Sequence, residues 1–192
     1  MKKGEILKIG SYFPDEEAPK KAEWIVLKVA KEGDRALVIA KNGMECIPYK
    51  ADGAETTWET SDVRAFLNGE FFETAFNKTE QKKILSTTVS TPCNAYGVCG
   101  GADTTDKVFL LSAEEAEKLF KNEEKRRAWS NARVYLQAGY INSEGECGWL
   151  LRTPGYDKKK VACVLQDGNI CVYGGAVDVK VHGIRPAMWV KI

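Results

Sequence analysis

Asp167-Gly168 lies between two apolar, β-branched runs, Val161-Ala162-Cys163-Val164-Leu165-Gln166 and Asn169-Ile170-Cys171-Val172-Tyr173. A glycine free to take positive φ, next to an aspartate and flanked by strand-forming runs, is the strongest short-range signal for an antiparallel hairpin. A two-residue turn would set Gln166 against Asn169, Leu165 against Ile170, Val164 against Cys171 and Cys163 against Val172. Side chains alternate along a strand, so this register predicts that Cys163 and Cys171 project from opposite faces and share no disulfide unless the turn takes an extra residue.

Two phrases frame the hairpin: Trp149-Leu150-Leu151-Arg152-Thr153-Pro154-Gly155 before it and Gly183-Ile184-Arg185-Pro186-Ala187-Met188-Trp189-Val190 after it. Each sets an arginine in an apolar run with a proline close behind. A buried guanidinium needs a partner, so Arg152 and Arg185 are expected to pair with internal carboxylates such as Glu59, Asp62 or Glu115. Trp149 and Trp189 read as core beside them, as do Trp24 and Trp58, whereas Trp129 follows Arg126 and Arg127 and is expected to be partly exposed. Pro186 cannot donate to a ladder, so its strand should run at an edge or bulge.

The first 50 residues also read as strands. Trp24 to Ala30 and Arg35 to Ala40 flank Glu32-Gly33-Asp34 and predict an antiparallel meander. From Thr60 the period becomes helical at Val63, Phe66, Leu67 and Phe71, with Thr60, Ser61 or Asp62 as cap and a break at Asn68-Gly69. A short helix is predicted around Thr79 to Leu85. Residues 90 to 105 carry no period and read as one long loop. Val108 to Leu111 reads as a short strand, and Ser112-x-x-Glu115 is a capping box that opens a helix. The basic run from Lys121 to Arg127 is interrupted by Glu123 and Glu124 and reads as a solvated face. Asp178 to Val181 and Ile184 to Ile192 supply further strands. Together these make a single α+β domain over residues 1–192, with antiparallel sheets from the N- and C-terminal parts and helices between.

Twenty-eight basic residues nearly balance 27 acidic ones, so no summed field draws nucleic acid, and no apolar run is long enough to insert in a membrane. Lys2 and Lys3 are not followed by an apolar segment. The chain as written therefore reads as cytoplasmic, and as extracellular if a leader has been removed. Cys46, Cys93, Cys99, Cys147, Cys163 and Cys171 form no C-x-x-C pair, and the single histidine, His182, is far from the Cys93-x5-Cys99 spacing. Free, buried thiols are expected, with no metal and no cofactor. His182 has no serine or cysteine at a recognisable spacing and reads as an exposed loop residue, so no catalytic residue is assigned.

Four phrases carry a family resemblance: Trp58-Glu59-Thr60-Ser61-Asp62-Val63-Arg64-Ala65-Phe66-Leu67-Asn68, Asp106 to Ser112, Trp149 to Gly155 and Gly183 to Trp189. In this order they resemble the DUF6273 domain, a bacterial domain frequent in gut Firmicutes. More broadly, the closing phrases resemble the C-terminal β region of C-type-lectin-like folds, a group that includes sulfatase-modifying enzymes and adhesins with diversified ligand surfaces. The calcium-binding Glu-Pro-Asn and Trp-Asn-Asp phrases of sugar-binding lectins do not occur here. The paired reactive cysteines of formylglycine-generating enzymes are not expected either, given the predicted hairpin register.

Aromatics interleaved with asparagine and glycine suit adaptable recognition surfaces. Asn94, Tyr96, Tyr156, Asp157, Asn169 and Tyr173 fit that description. The expectation is a non-enzymatic module binding a protein or glycan through loops beside the C-terminal sheet, against a thiol-using enzyme or a purely structural domain of a surface or phage assembly. Neither ligand identity nor oligomeric state follows from the residues.

Overall fold

The N-terminal meander forms as its two β-branched runs demand. In a computed structural model describing residues 1–12, 21–137 and 141–192, β1 (Ile6–Lys8), β2 (Glu23–Val29) and β3 (Arg35–Ala40) pair antiparallel. Three short helices follow: α1 (Asp62–Asn68), α2 (Glu70–Ala75) and α3 (Lys78–Gln81). Ser61 caps α1 by accepting from the Arg64 N–H, and α1 ends at Gly69, as the Asn68-Gly69 pair predicts. The third helix is capped by Asn77, which forms a capping box with Glu80, so it starts before Thr79 and is shorter than its sequence suggests.

The 90 to 105 segment is less open than expected. Its last residues form β5 (Thr104–Asp106), paired with β4 (Thr87–Val89), so the connection is a long hairpin loop. Thr-Thr-Asp carries no alternating apolar signal, and the pairing is set by tertiary contacts. Val108 to Leu111 forms no regular strand. It is buried and joins the sheet through an isolated bridge from Phe109 to Ala187.

Ser112 and Glu115 close the predicted capping box on α4 (Ala113–Leu119), followed by α5 (Glu123–Arg126) and α6 (Ala132–Gln137). The basic run is not wholly solvated: Arg126 is buried and donates from Nε to the Gly168 carbonyl. Then β6 (Trp149–Pro154), β7 (Lys160–Val164) and β8 (Ile170–Ala176) make a three-stranded antiparallel sheet. Finally β9 (Ala187–Lys191) returns to the first sheet, order β1-β2-β3-β9. It starts just after Pro186 and lies at the edge, where a missing donor is tolerated. Asp178 to Val181 forms no strand. One core of Trp24, Trp58, Phe71, Phe76, Leu110, Leu111, Trp149 and Leu151, among others, joins the three sheets and the helices into a single α+β domain.

The β7–β8 register departs from the predicted one. Val164 faces Ile170 and Cys163 faces Cys171 directly. The turn uses Gln166, Asp167 and Gly168, with Gly168 at φ 86° and the Leu165 N–H donating to Asn169 O. One extra residue shifts the register and brings the two thiols to the same face. The reason is tertiary. A Cβ on Gly168 would stand 2.0 Å from the Glu123 carbonyl, and the Gly168 carbonyl accepts from Arg126, so α5 seats the turn. Gly168→Ala is expected to cost about 2–3 kcal/mol, because strain at positive φ adds to a backbone clash. Chemical denaturation of the two proteins measures it.

Candidate functional site

The loop that begins at Ser90 is closed by a disulfide between Cys93 and Cys99, which corrects the expectation of free thiols at these positions. Spacing alone could not reveal it, because a single Cys-x5-Cys pair is neutral between thiol, metal and bridge until the chain turns back on itself. Asn94 makes that turn. Its Oδ1 accepts from the N–H groups of Tyr96 and Val98, while Nδ2 donates to the Pro154 and Gly155 carbonyls at 2.9 and 2.7 Å. The side chain is thus spent in pinning the disulfide loop to the end of β6.

Pinned there, Tyr96 meets Tyr156 edge-on, with centroids 5.3 Å apart and planes at 70°. Tyr156 in turn stacks on Tyr173 at 5.2 Å and 24°. All three stay open to solvent, at 44, 52 and 50% exposure. Lys160 Nζ lies 4.5 Å from the Tyr173 centroid, a cation–π contact that no sequence spacing announced. Tyr156 comes from the tight turn between β6 and β7. There Asp157 Oδ1 accepts the Lys159 N–H, the Tyr156 N–H donates to Tyr173 O, and Gly155 leaves no room for a Cβ against Lys160 and that same carbonyl. Tyr173 comes from a bulge in β8: Val161 faces Gly175 and Cys163 faces Cys171, so three residues of β8 oppose Ala162 alone.

Five of the six predicted residues therefore gather at one end of the C-terminal sheet. Tyr96, Tyr156 and Tyr173 form its exposed surface, and Asn94 and Asp157 shape the loops. Asn169 does not join them. It lies at the far tip of the β7–β8 hairpin, where its N–H and side chain donate to Asp167, a full strand of five residues or roughly 16 Å away.

The framing arginines hold the base of this sheet. Arg152 is 3% exposed and forks onto Glu115 through both terminal nitrogens at 2.5 and 3.0 Å, with further bonds to Thr91 Oγ1 and the Ser90 and Leu110 carbonyls. One guanidinium thus ties β6 to α4 and to the start of the disulfide loop. Arg185 corrects its expectation. It has no carboxylate among its hydrogen-bond partners and instead donates to the backbone carbonyls of Ala40, Arg126 and Lys41, sandwiched near the Trp149 and Phe120 rings. Burial lowers its pKa to about 10. Trp149 is fully buried and donates Nε1 to Arg126 O. Trp189 is only partly buried, with Arg35 over its ring, and Trp129 is half exposed.

His182 is buried, not exposed: it packs over Gly148, and burial pushes its pKa down. Burial likewise raises Cys46 and Cys147 to about 11 and Cys163 to about 12. Among the described residues no group of three His, Cys, Asp or Glu side chains could hold a metal ion, and no helix is long and apolar enough to cross a membrane.

No curated protein and no solved structure matches the chain. The family model "Domain of unknown function (DUF6273)" matches residues 33–192, taking in all four phrases from Trp58 to Trp189 and every residue of the tyrosine cluster, and the chain belongs to that family.

Proposed function

We propose that this domain is a non-enzymatic recognition module that binds a protein or glycan partner through the loops beside the C-terminal sheet. The observation that carries the reading is the contact between three half-exposed tyrosines from three separate segments, on backbone fixed by a disulfide, a bulge and a tight turn. Tyrosine offers a large amphipathic contact area with only two side-chain torsions to immobilise, and a pre-ordered backbone lowers the entropic cost of binding. The lectin-like character suggested by the closing phrases belongs to the same proposal. A disulfide persists in oxidising compartments, so the Cys93–Cys99 bond supports the extracellular reading over the cytoplasmic one.

The alternative of a thiol-using enzyme draws on the shared face of Cys163 and Cys171. Against it, the Cys163 thiol is 2% exposed and burial pushes its pKa up to about 12, so it offers no nucleophile to an outside substrate.

The test is capture on a glycan array and from envelope extracts of the producing cells, comparing the parent with a Tyr96→Ser, Tyr156→Ser, Tyr173→Ser triple variant. Tyr156 packs on both other rings and all three are half exposed, so the melting temperature should fall by no more than about 5 °C while capture drops at least tenfold. A folded triple variant that binds as the parent does would sink the proposal.

A further inference from the structure

Two of the thiols stand in a relation that the recognition surface does not require. Cys163 on β7 and Cys171 on β8 are directly opposed, so their side chains project from one face, and both are free thiols. Directly opposed residues of an antiparallel pair have Cα atoms about 4.5–5.5 Å apart, within the roughly 4.4–6.8 Å that a disulfide spans. The two sulfurs differ in access. Cys171 is partly exposed on the open edge strand of its sheet, whereas Cys163 on the central strand is 2% exposed.

We infer that Cys163 and Cys171 form a redox-active dithiol that exchanges with low-molecular-weight disulfides, with Cys171 as the entry sulfur and Cys163 as the resolving one. The Cys171 thiolate attacks one sulfur of an external disulfide RSSR; the S–S bond breaks, RS⁻ leaves and takes a proton, and Cys171 carries SR. Cys163 then loses its proton and attacks Cys171 Sγ, expelling the second RS⁻ as RSH. In sum, RSSR and two protein thiols give one protein disulfide and two RSH; the protein is oxidised by two electrons and RSSR is reduced. Burial and the neighbouring sulfur hold Cys163 inert towards outside reagents, and attack becomes intramolecular once Cys171 is mixed with SR. The bridge would clamp one end of the β8 bulge that presents Tyr173. The exchange itself does not depend on the recognition reading.

The test equilibrates the folded parent in buffers of graded reduced-to-oxidised glutathione ratio, quenches with acid, alkylates and maps peptides. Tryptic peptide 161–180 holds both cysteines. Under oxidising buffer it should become two hydrogens lighter and resist alkylation, and cleavage before Asp167 should leave its halves linked; excess reduced glutathione should reverse both. Cys163→Ser, or Cys163→Ala if serine perturbs folding, should accumulate a stable glutathione adduct at Cys171, and Cys171→Ser should leave Cys163 unmodified. The inference fails if the parent keeps a lasting adduct at Cys171 without linkage, if neither cysteine reacts across the series, or if Cys163 bonds to another cysteine.

Discussion

Arg185→Met is expected to destabilise the domain by about 3–5 kcal/mol, lowering the melting temperature by roughly 10–15 °C. Methionine matches the apolar stem, so the loss isolates the guanidinium. Three backbone carbonyls, those of Ala40, Lys41 and Arg126, accept from it at 2.7 to 3.2 Å. A buried carbonyl stripped of its donor costs about 1–3 kcal/mol, and Arg126 O would retain only the Trp149 indole. The missing carboxylate matters for the sign of the rescue. Lysine places one ammonium where a planar fork reaches carbonyls from two different segments, and should recover less than half of the loss. Thermal melts of R185M and R185K beside the parent measure both.

Arg152→Met should cost less, about 2–4 kcal/mol, although its network is richer. Its carboxylate partner Glu115 has a side chain 39% exposed, so water can take up the charge left behind. What water cannot reach is the pair of Thr91 and Leu110 acceptors around the buried head. The variant should also loosen the start of the disulfide loop, seen as faster amide exchange at residues 91 to 98 than in the parent. Equal losses for the two variants would mean that the carboxylate, not the burial of backbone carbonyls, sets the scale.

How legible the fold was depended on whether a signal was local. The meander, a cap for α1 within Thr60 to Asp62, the break at Gly69 and the Ser112–Glu115 capping box are written within a few residues, and each formed where read, with Ser61 taking the cap. The hairpin register was not local. Asp167-Gly168 announces a turn, but the contact of Gly168 with α5 chose a three-residue loop, and one residue of slip reversed the conclusion drawn for Cys163 and Cys171. The arginines divide the same way. Their burial followed from apolar neighbours, and Glu115 was among the candidate partners for Arg152, but carbonyl acceptors leave no trace in side-chain identities. For the candidate site, residue types chose the tyrosines, while their meeting depended on the Cys93–Cys99 bond, the β8 bulge and Lys160, none of which spacing reveals.

The recognition surface is tested most directly by site-specific photo-crosslinking, with p-benzoylphenylalanine placed at position 96 or 173 in the otherwise native chain and, as a control, at position 136. Leu136 is more exposed than any of the three tyrosines, at 83%, but lies on α6, so exposure alone cannot explain a difference. Irradiation with envelope extract should give one shared adduct from positions 96 and 173 and none from 136. Adducts from 136 with none from 96 or 173 would contradict a recognition surface at the tyrosine cluster.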